Sequence, residues 1–404
     1  MNFPVLLRRV SAIALCFAAF LRLLTLPASA QVYEKVFDFG GSVNLVNKGC
    51  SPRAALVQAS DGNFYGTTAY GGASDRGTVF RMTPAGILTT LVDFTDHVGQ
   101  NPTAAVVQGS DGNLYGTTSS GGETNNGTVF RMTPTGALTT LVQFTGASGS
   151  NKGGSPYAGL VQGSDGSFYG TTSSGGANGL GTVFKMTPGG VLTTLVEFSG
   201  GNGRNPAAVL VQGINGNFYG TTRGGGANDL GTVFKMTPFG ALTTLVEFTG
   251  NGAGNKGADP RAGLVQGSDG SFYGTTTYGG ANANYGTVFK LDPNAPPNTG
   301  LTTLIEFDPG ITNNAGGFIA GLVQGSDGNF YGTSLGGGSG YGTVFKMTPA
   351  GSLTTLVEFT GREGSNKGGD PAAGLVQGRD GFFTARPIIS TTGQRCSAAA
   401  PYSR

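Results

Sequence analysis

A line close to LVQGSDGNFYGTT recurs along this chain of 404 residues, each time followed by a glycine-rich gap, GTVFKMTP, a short turn and LTTLVEF. The first residue of its Asp-Gly or Asn-Gly pair falls at Asp61, Asp111, Asp165, Asn215, Asp269, Asp327 and Asp380, at intervals of 50, 54, 50, 54, 58 and 53 residues. A unit near fifty residues, made of short β-branched and aromatic runs, has the length of a four-stranded propeller blade and exceeds a solenoid rung. The repeat therefore predicts an all-β chain. It should form a single β-propeller of about seven four-stranded blades, six complete and one split between the N- and C-terminal segments.

The third unit shows how the strands are read. Gly159–Gly163 is the first strand, Ser167–Thr172 the second, Gly181–Thr187 the third and Leu192–Phe198 the fourth. Asp165-Gly166 supplies the positive φ that a tight hairpin needs. Pro188-Gly189-Gly190 turns the chain between the last two strands. Apolar side chains fall on both faces, as with Val183 beside Phe184 and Leu195 beside Val196. Blades stacked around an axis bury both faces, whereas a one-sided sheet does not.

The ends carry the closure. Tyr33–Phe39, YEKVFDF, aligns with LTTLVEF and is a fourth strand with no first three before it. Ala373–Phe383 supplies first and second strands with no fourth. A ring closed this way hides the sheet edges that would otherwise pair with other chains. Residues 1–30 read as a signal peptide. Arg8 and Arg9 precede the apolar stretch Val10–Leu26, and Ala28-Ser29-Ala30 offers a cleavage site. Arg22 within the stretch argues against a membrane anchor. The domains expected are the leader 1–30, the repeat domain 31–383 and an irregular tail 384–404.

In that tail Thr384-Ala385-Arg386-Pro387 stands where other units have Tyr-Gly-Thr-Thr or Tyr-Gly-Thr-Ser. Codons TAC GGC ACG ACC read one base later encode Thr-Ala-Arg-Pro, so the tail reads as a frame-shifted remnant of the seventh repeat. Gly393–Ser397 back-translates toward Gly-Thr-Val-Phe in the same way. Of three cysteines, Cys16 lies in the leader. Cys50 and Cys396 are no disulfide framework. A bridge between them would join the two ends, and it loses its motive if the tail is frame-shifted.

This line resembles the GloVer tandem repeats of choice-of-anchor proteins, a family of exported bacterial proteins, over about Val36 to Gly381. The resemblance implies export and, commonly, a C-terminal surface anchor. It implies no established activity, so it assigns no functional residue. The Gly pairs Gly71-Gly72, Gly121-Gly122 and Gly175-Gly176 are similar to kelch propellers in architecture alone, since the chain has no Trp.

Composition narrows the chemistry. The net charge is +2 with Lys and Arg scattered, so no basic stripe marks a nucleic-acid partner. His97 is the sole histidine, which excludes multi-histidine metal sites. The Asp-Gly aspartates suit hairpin turns; each loop offers one carboxylate where calcium needs six to eight oxygens. The loop Gly121–Val129 lacks the Lys-Ser/Thr of a phosphate loop. Arg81, Arg131, Lys185, Lys235, Lys290 and Lys346 recur on third strands. Asp38, Asp93, Glu197, Glu247, Glu306 and Glu358 recur on fourth strands, with Gln143 the exception. Repetition makes these rim or inter-blade ion pairs.

Three off-pattern features remain. Asp96-His97 sits in a connector without a nucleophile elbow to serve it. Asp75, Glu123 and Asp229 lie in loops between second and third strands, where paired carboxylates could in principle cleave glycosidic bonds. Solvated loop positions explain all of them. No catalytic, cofactor-binding or metal-ligating residue is assigned, and no cofactor is implied. The expectation is a secreted, monomeric, non-enzymatic recognition or scaffold module. Its partner would be a cell-surface glycan or protein, with no nucleic acid and no membrane span in the mature chain. The alternative is a propeller glycoside hydrolase or polysaccharide lyase with carboxylates at the channel mouth.

Overall fold

The turns written into each unit fold it as an antiparallel meander. In the third, Val161–Gln162, Phe168–Thr172, Thr182–Met186 and Leu192–Glu197 pair in sequence order. The Asp-Gly turn closes with Gly166 at φ 77° and its amide bonded to the Gly163 carbonyl at 2.9 Å. The computed structural model describes residues 49–252, 254–280, 284–307, 320–336, 340–361, 371, 374–377 and 383–384. Within them six four-stranded sheets follow one another, and the seventh unit contributes the hairpin Val376–Gln377 with Phe383–Thr384. No helix occurs among the described residues. The protein is a β-propeller with six four-stranded blades. The leader 1–30, the strand Tyr33–Phe39, the tail beyond Thr384, and Cys16, Cys396, Asp38 and Asp380 lie outside the described residues. Cys50 is disulfide-bonded.

The seventh hairpin keeps the common register. Val376 faces Thr384 as Val57 faces Tyr65, so Thr384 occupies the place of the second-strand tyrosine. Each complete blade has one register shift between its third and fourth strands, at Val183/Phe184 in the third unit. The interval of 58 residues comes from a longer hairpin in unit 5. Its Asn298 donates its amide to the Leu245 carbonyl and accepts the Glu247 amide, both at 2.7 Å, and so reaches back to the fourth strand of unit 4.

Both faces of each blade are buried, as the two-sided apolar pattern predicts. Across the junctions Tyr115 stacks on Phe168, Tyr169 on Phe218 and Tyr331 on Phe383, with centroids 4.0, 3.9 and 4.1 Å apart. The phenylalanine closing each fourth strand meets the next third strand edge-on, as Phe144 meets Phe184 at 5.3 Å. Such pairs add about 0.5–1.5 kcal/mol beyond the area they bury. The glycine of each second strand makes this packing fit. A Cβ on Gly170 would lie 2.5 Å from Cζ of Phe184 and 2.8 Å from Cδ2 of Leu160, so a methyl there displaces the ring beneath it.

The seals differ along the row. Tyr331 and Val344, on the flank of unit 6, are 6% and 8% exposed, and Met82 of unit 1 is 7% exposed. Their counterparts Tyr169, Val183 and Met186 in unit 3 are 0% exposed. Phe64 is likewise half-buried where Phe168 and Phe218 are wholly buried.

Two substitutions test the packing. Phe218→Ala removes one inter-blade stack and is expected to lower stability by about 3–5 kcal/mol. Gly170→Ala is expected to cost about 1–3 kcal/mol through overpacking, despite adding only one methyl. Denaturant unfolding followed by tyrosine fluorescence measures both.

Candidate functional site

The blade has two ends, and they differ in kind. At the end of the first hairpin the same group is rebuilt in unit after unit. The Asp165 carboxylate accepts the Ser167 amide at 3.1 Å and the Tyr169 hydroxyl at 2.9 Å. It pairs with Lys185 Nζ at 2.8 Å, and that ammonium lies 5.7 Å from the Tyr169 ring centroid. Lys290–Asp269 and Lys346–Asp327 repeat the pair at 2.8 and 2.9 Å. Where unit 4 has Asn215, its amide donates to the Tyr219 hydroxyl instead. The turn reading of these residues holds, and the structure adds a reason for them. Burying a tyrosine ring between blades leaves its hydroxyl needing a partner, and the turn supplies it.

Burial opposes ionisation of Asp61 and Asp111. Hydrogen bonds from Asn63 and Tyr65, and from Asn113 and Tyr115, outweigh it and hold both carboxyls below the usual range. The same contacts act oppositely on the phenols. Burial, then the bond to the carboxylate, pushes Tyr65 and Tyr115 up to about 12.

A second repeated group joins neighbouring hairpins. Gln162 accepts the Ser110 amide of the preceding unit at 2.9 Å and donates to the Ser110 hydroxyl and its own Gly166 carbonyl. Gln108, Gln212, Gln266, Gln324 and Gln377 each accept an amide from the preceding unit in the same way. Sequence reasoning passed over these glutamines. Their occurrence at one place in every unit was the available signal.

Lys185, Lys290 and Lys346 of the third strands and Glu197 and Glu306 of the fourth form ion pairs, each with a partner from outside these two sets. The three lysines turn to the hairpin aspartates. Glu197 instead pairs with Lys152 of the connector at 2.8 Å and accepts the Ala177 amide, and Glu306 pairs with Lys256 at 2.6 Å. Where Gln143 replaces the acid, it accepts the Glu123 amide at 2.7 Å.

The other end of each blade carries the connectors and the loops between second and third strands. Asp75 and Asp229 are not off-pattern there. Each has positive φ and accepts its own loop's amide, from Gly71 at 2.8 Å and Gly225 at 2.7 Å, as Asn125 does from Gly121. They are loop-closing residues at one repeat position, where Gly179 also serves. Glu123 is exposed. Asp96 is held by Arg76 at 2.5 Å and by Gln100 at 2.7 Å, while His97 is exposed.

Units 4 and 5 break the repetition at this end. Arg204 grips Asp229 through Nε and Nη2, both at 2.7 Å, and Nη1 donates to Asn205. Arg223 Nε lies 2.8 Å from Asp259, and Arg261 Nη2 contacts the same carboxylate at 2.7 Å. The Arg261 guanidinium sits 5.9 Å from the Tyr278 ring centroid. Hydrogen bonding by Arg204 holds Asp229 down at about 2. Among the described residues no group of three or more His, Cys, Asp or Glu is placed to hold a metal ion.

Blades joined in a row by stacked aromatics, with uniform turns at one end and varied connectors at the other, define a tandem-repeat β-propeller. The chain belongs to the Gloeobacter/Verrucomicrobia repeat family, whose sequence pattern matches residues 23–154 and 147–317. No curated protein matches the sequence. Among solved structures, virginiamycin B lyase from Staphylococcus aureus superposes with a TM-score of 0.51 at 13% identity, over 76% of this chain and 84% of that one. The periplasmic gluconolactonase of Pseudomonas aeruginosa superposes at 0.50 and 18% identity, over 82% and 87%. At these identities the likeness is one of fold.

The tyrosine–aspartate pair gives a pH signature. A phenol donates only while protonated. Its share of stability is present below the ordinary phenol pKa near ~10 and is lost as pH rises through about 12. Ultraviolet difference titration is expected to show late-titrating tyrosines near 12, and Tyr65→Phe with Tyr115→Phe to remove two of them.

Proposed function

We propose that the protein is a non-enzymatic extracellular recognition or scaffold module, built on a ring whose seventh blade is completed by the strand Tyr33–Phe39. One observation carries the functional reading. The repeated polar side chains serve turns, tyrosine hydroxyls and inter-blade clasps, while the off-pattern ionic cluster described lies at the connector end, on a rigid frame. Among the described residues, the carboxylates with a shifted pKa, Asp61, Asp165, Glu197, Asp229 and Asp259 among them, are shifted downward. A glycosidase acid needs one carboxyl shifted upward. The leader and the family's exported character support secretion to the cell surface or periplasm.

Ring closure has its own support. In units 2 to 6 the third-strand phenylalanine is covered by the preceding blade, as Phe130 is by Phe94. Phe80 of unit 1 is buried to the same degree, together with Leu56. In the repeat register Phe39 is the residue that aligns with Phe94.

Two measurements test these readings. The mature chain, residues 31–404, is expected to bind a component of a glycan or cell-surface protein array without cleaving polysaccharide. New reducing or unsaturated sugar ends would make it an enzyme. Phe39→Ala is expected to lower stability by about 3–5 kcal/mol, as loss of a buried phenylalanine does elsewhere. An unchanged unfolding midpoint would remove the closing strand.

A further inference from the structure

We infer that the connector face of units 4 and 5 is a binding site for an acidic polysaccharide, its carboxylates held by Arg223 and Arg261 and a sugar ring laid against Tyr278. This deepens the recognition reading and rests on it.

The repeat itself provides the comparison. At the place of Arg204 units 1, 2, 3 and 5 have Cys50, Gln100, Gly154 and Ala258; at that of Arg223 they have Ala69, Ser119, Ser173 and Thr277, and unit 6 has Leu335. Small or neutral residues therefore satisfy the backbone at both places. A Cβ on Gly224 would lie 2.7 Å from Cζ of Arg204, so the guanidinium fills the space a side chain there would take; Ser120, Ser174 and Tyr278 stand at that position in units 2, 3 and 5, and Gly336 in unit 6.

The junction shows the same exchange. Asn101 and Asn205 bond their side-chain amides to carbonyls of the preceding unit, Ala69 and Ser173, at 2.9 Å. Asp259 stands at that position and has no hydrogen to donate. It binds Arg223 from unit 4 and Arg261 from its own unit. One cation would neutralise it; two are present.

With Arg204 and Asp229 the cluster holds three cations against two anions, and Arg204 lies close enough to oppose the charge on Arg223. The Arg223 side chain is 42% exposed and Tyr278 is 43% exposed. A planar guanidinium matches a carboxylate edge-on, and an exposed aromatic face takes the apolar face of a pyranose. Alternating carboxylate and ring is the chemistry of a uronic-acid polymer. A nucleic acid would need a longer basic track than this one.

The test uses the mature chain with polygalacturonate as probe, dextran as the neutral control and duplex DNA as the competing anion, read by isothermal calorimetry. Polygalacturonate is expected to bind, more weakly as salt rises, and dextran and DNA not to. The double variant R223Q/R261Q is expected to lose about tenfold or more in affinity. Since that change leaves Asp259 without cations, a second variant acts in the opposite sense. D259N restores the asparagine found in units 2 and 4 and releases both guanidiniums, so polygalacturonate should bind several-fold tighter. R131Q, at the hairpin end, should leave binding unchanged. Equal binding by wild type and R223Q/R261Q, unchanged or weaker binding by D259N, or DNA binding as tight as polygalacturonate would each overturn the inference. Binding of neutral glycans alone would overturn it while leaving the recognition reading standing. Failure to bind any array component would remove that reading as well.

Discussion

Stacking of the second-strand tyrosines of units 2 to 6 on the aromatic of the next blade is the constraint from which the repeated line follows. A sheet apolar on both faces has no stable existence alone, so each unit needs neighbours on either side. Once Tyr169 is fixed against Phe218, its hydroxyl must be satisfied at the hairpin end, which places Asp165 there. That carboxylate in turn draws Lys185 from the third strand. The ring of Phe184 lies under the second strand, which leaves only glycine between Tyr169 and Thr171. The residues of the motif are thus mutually dependent, and a change at one is felt at the others.

This dependence divides the molecule. The hairpin end is fixed by the stack, because its polar groups complete the buried tyrosines and link each turn to the next. The connector end is attached to the same strands but answers to no such requirement beyond closing its loops. Arg204, Arg223 and Asp259 can therefore differ from their counterparts without disturbing the blades that carry them. A frame made uniform on one side leaves the other side open to variation.

Much of the architecture was legible in the chain. The period, the four strands of Val161–Glu197, the Asp165-Gly166 turn and the two-sided burial follow from local chemistry and spacing. Partner choice did not. Gln108 and Ser60 are 48 residues apart, and their bond depends on the stagger between blades, which no periodicity encodes. That Lys185 joins an ion pair was legible from its recurrence; that its partner is the hairpin Asp165, which also accepts the Tyr169 hydroxyl, was not. Asp75 and Asp229 looked irregular because Asp, Asn and Gly differ as letters. At a position with positive φ whose side chain closes a loop they are near-equivalents. The arginine cluster was invisible for a related reason: its members come from three separated stretches and meet only across a junction.

The uneven sealing of the blade row has a mechanical consequence. The second-strand tyrosines and third-strand valines of units 2 to 5 are wholly buried, whereas the outward flanks of units 6 and 1 are slightly wetted at Tyr331, Val344, Met82 and Phe64. A row of blades whose two outward flanks are less tightly sealed does not loosen evenly under heat or load. It gives way first at those flanks, and the blades between them persist as an arc that keeps the face formed by units 4 and 5 intact.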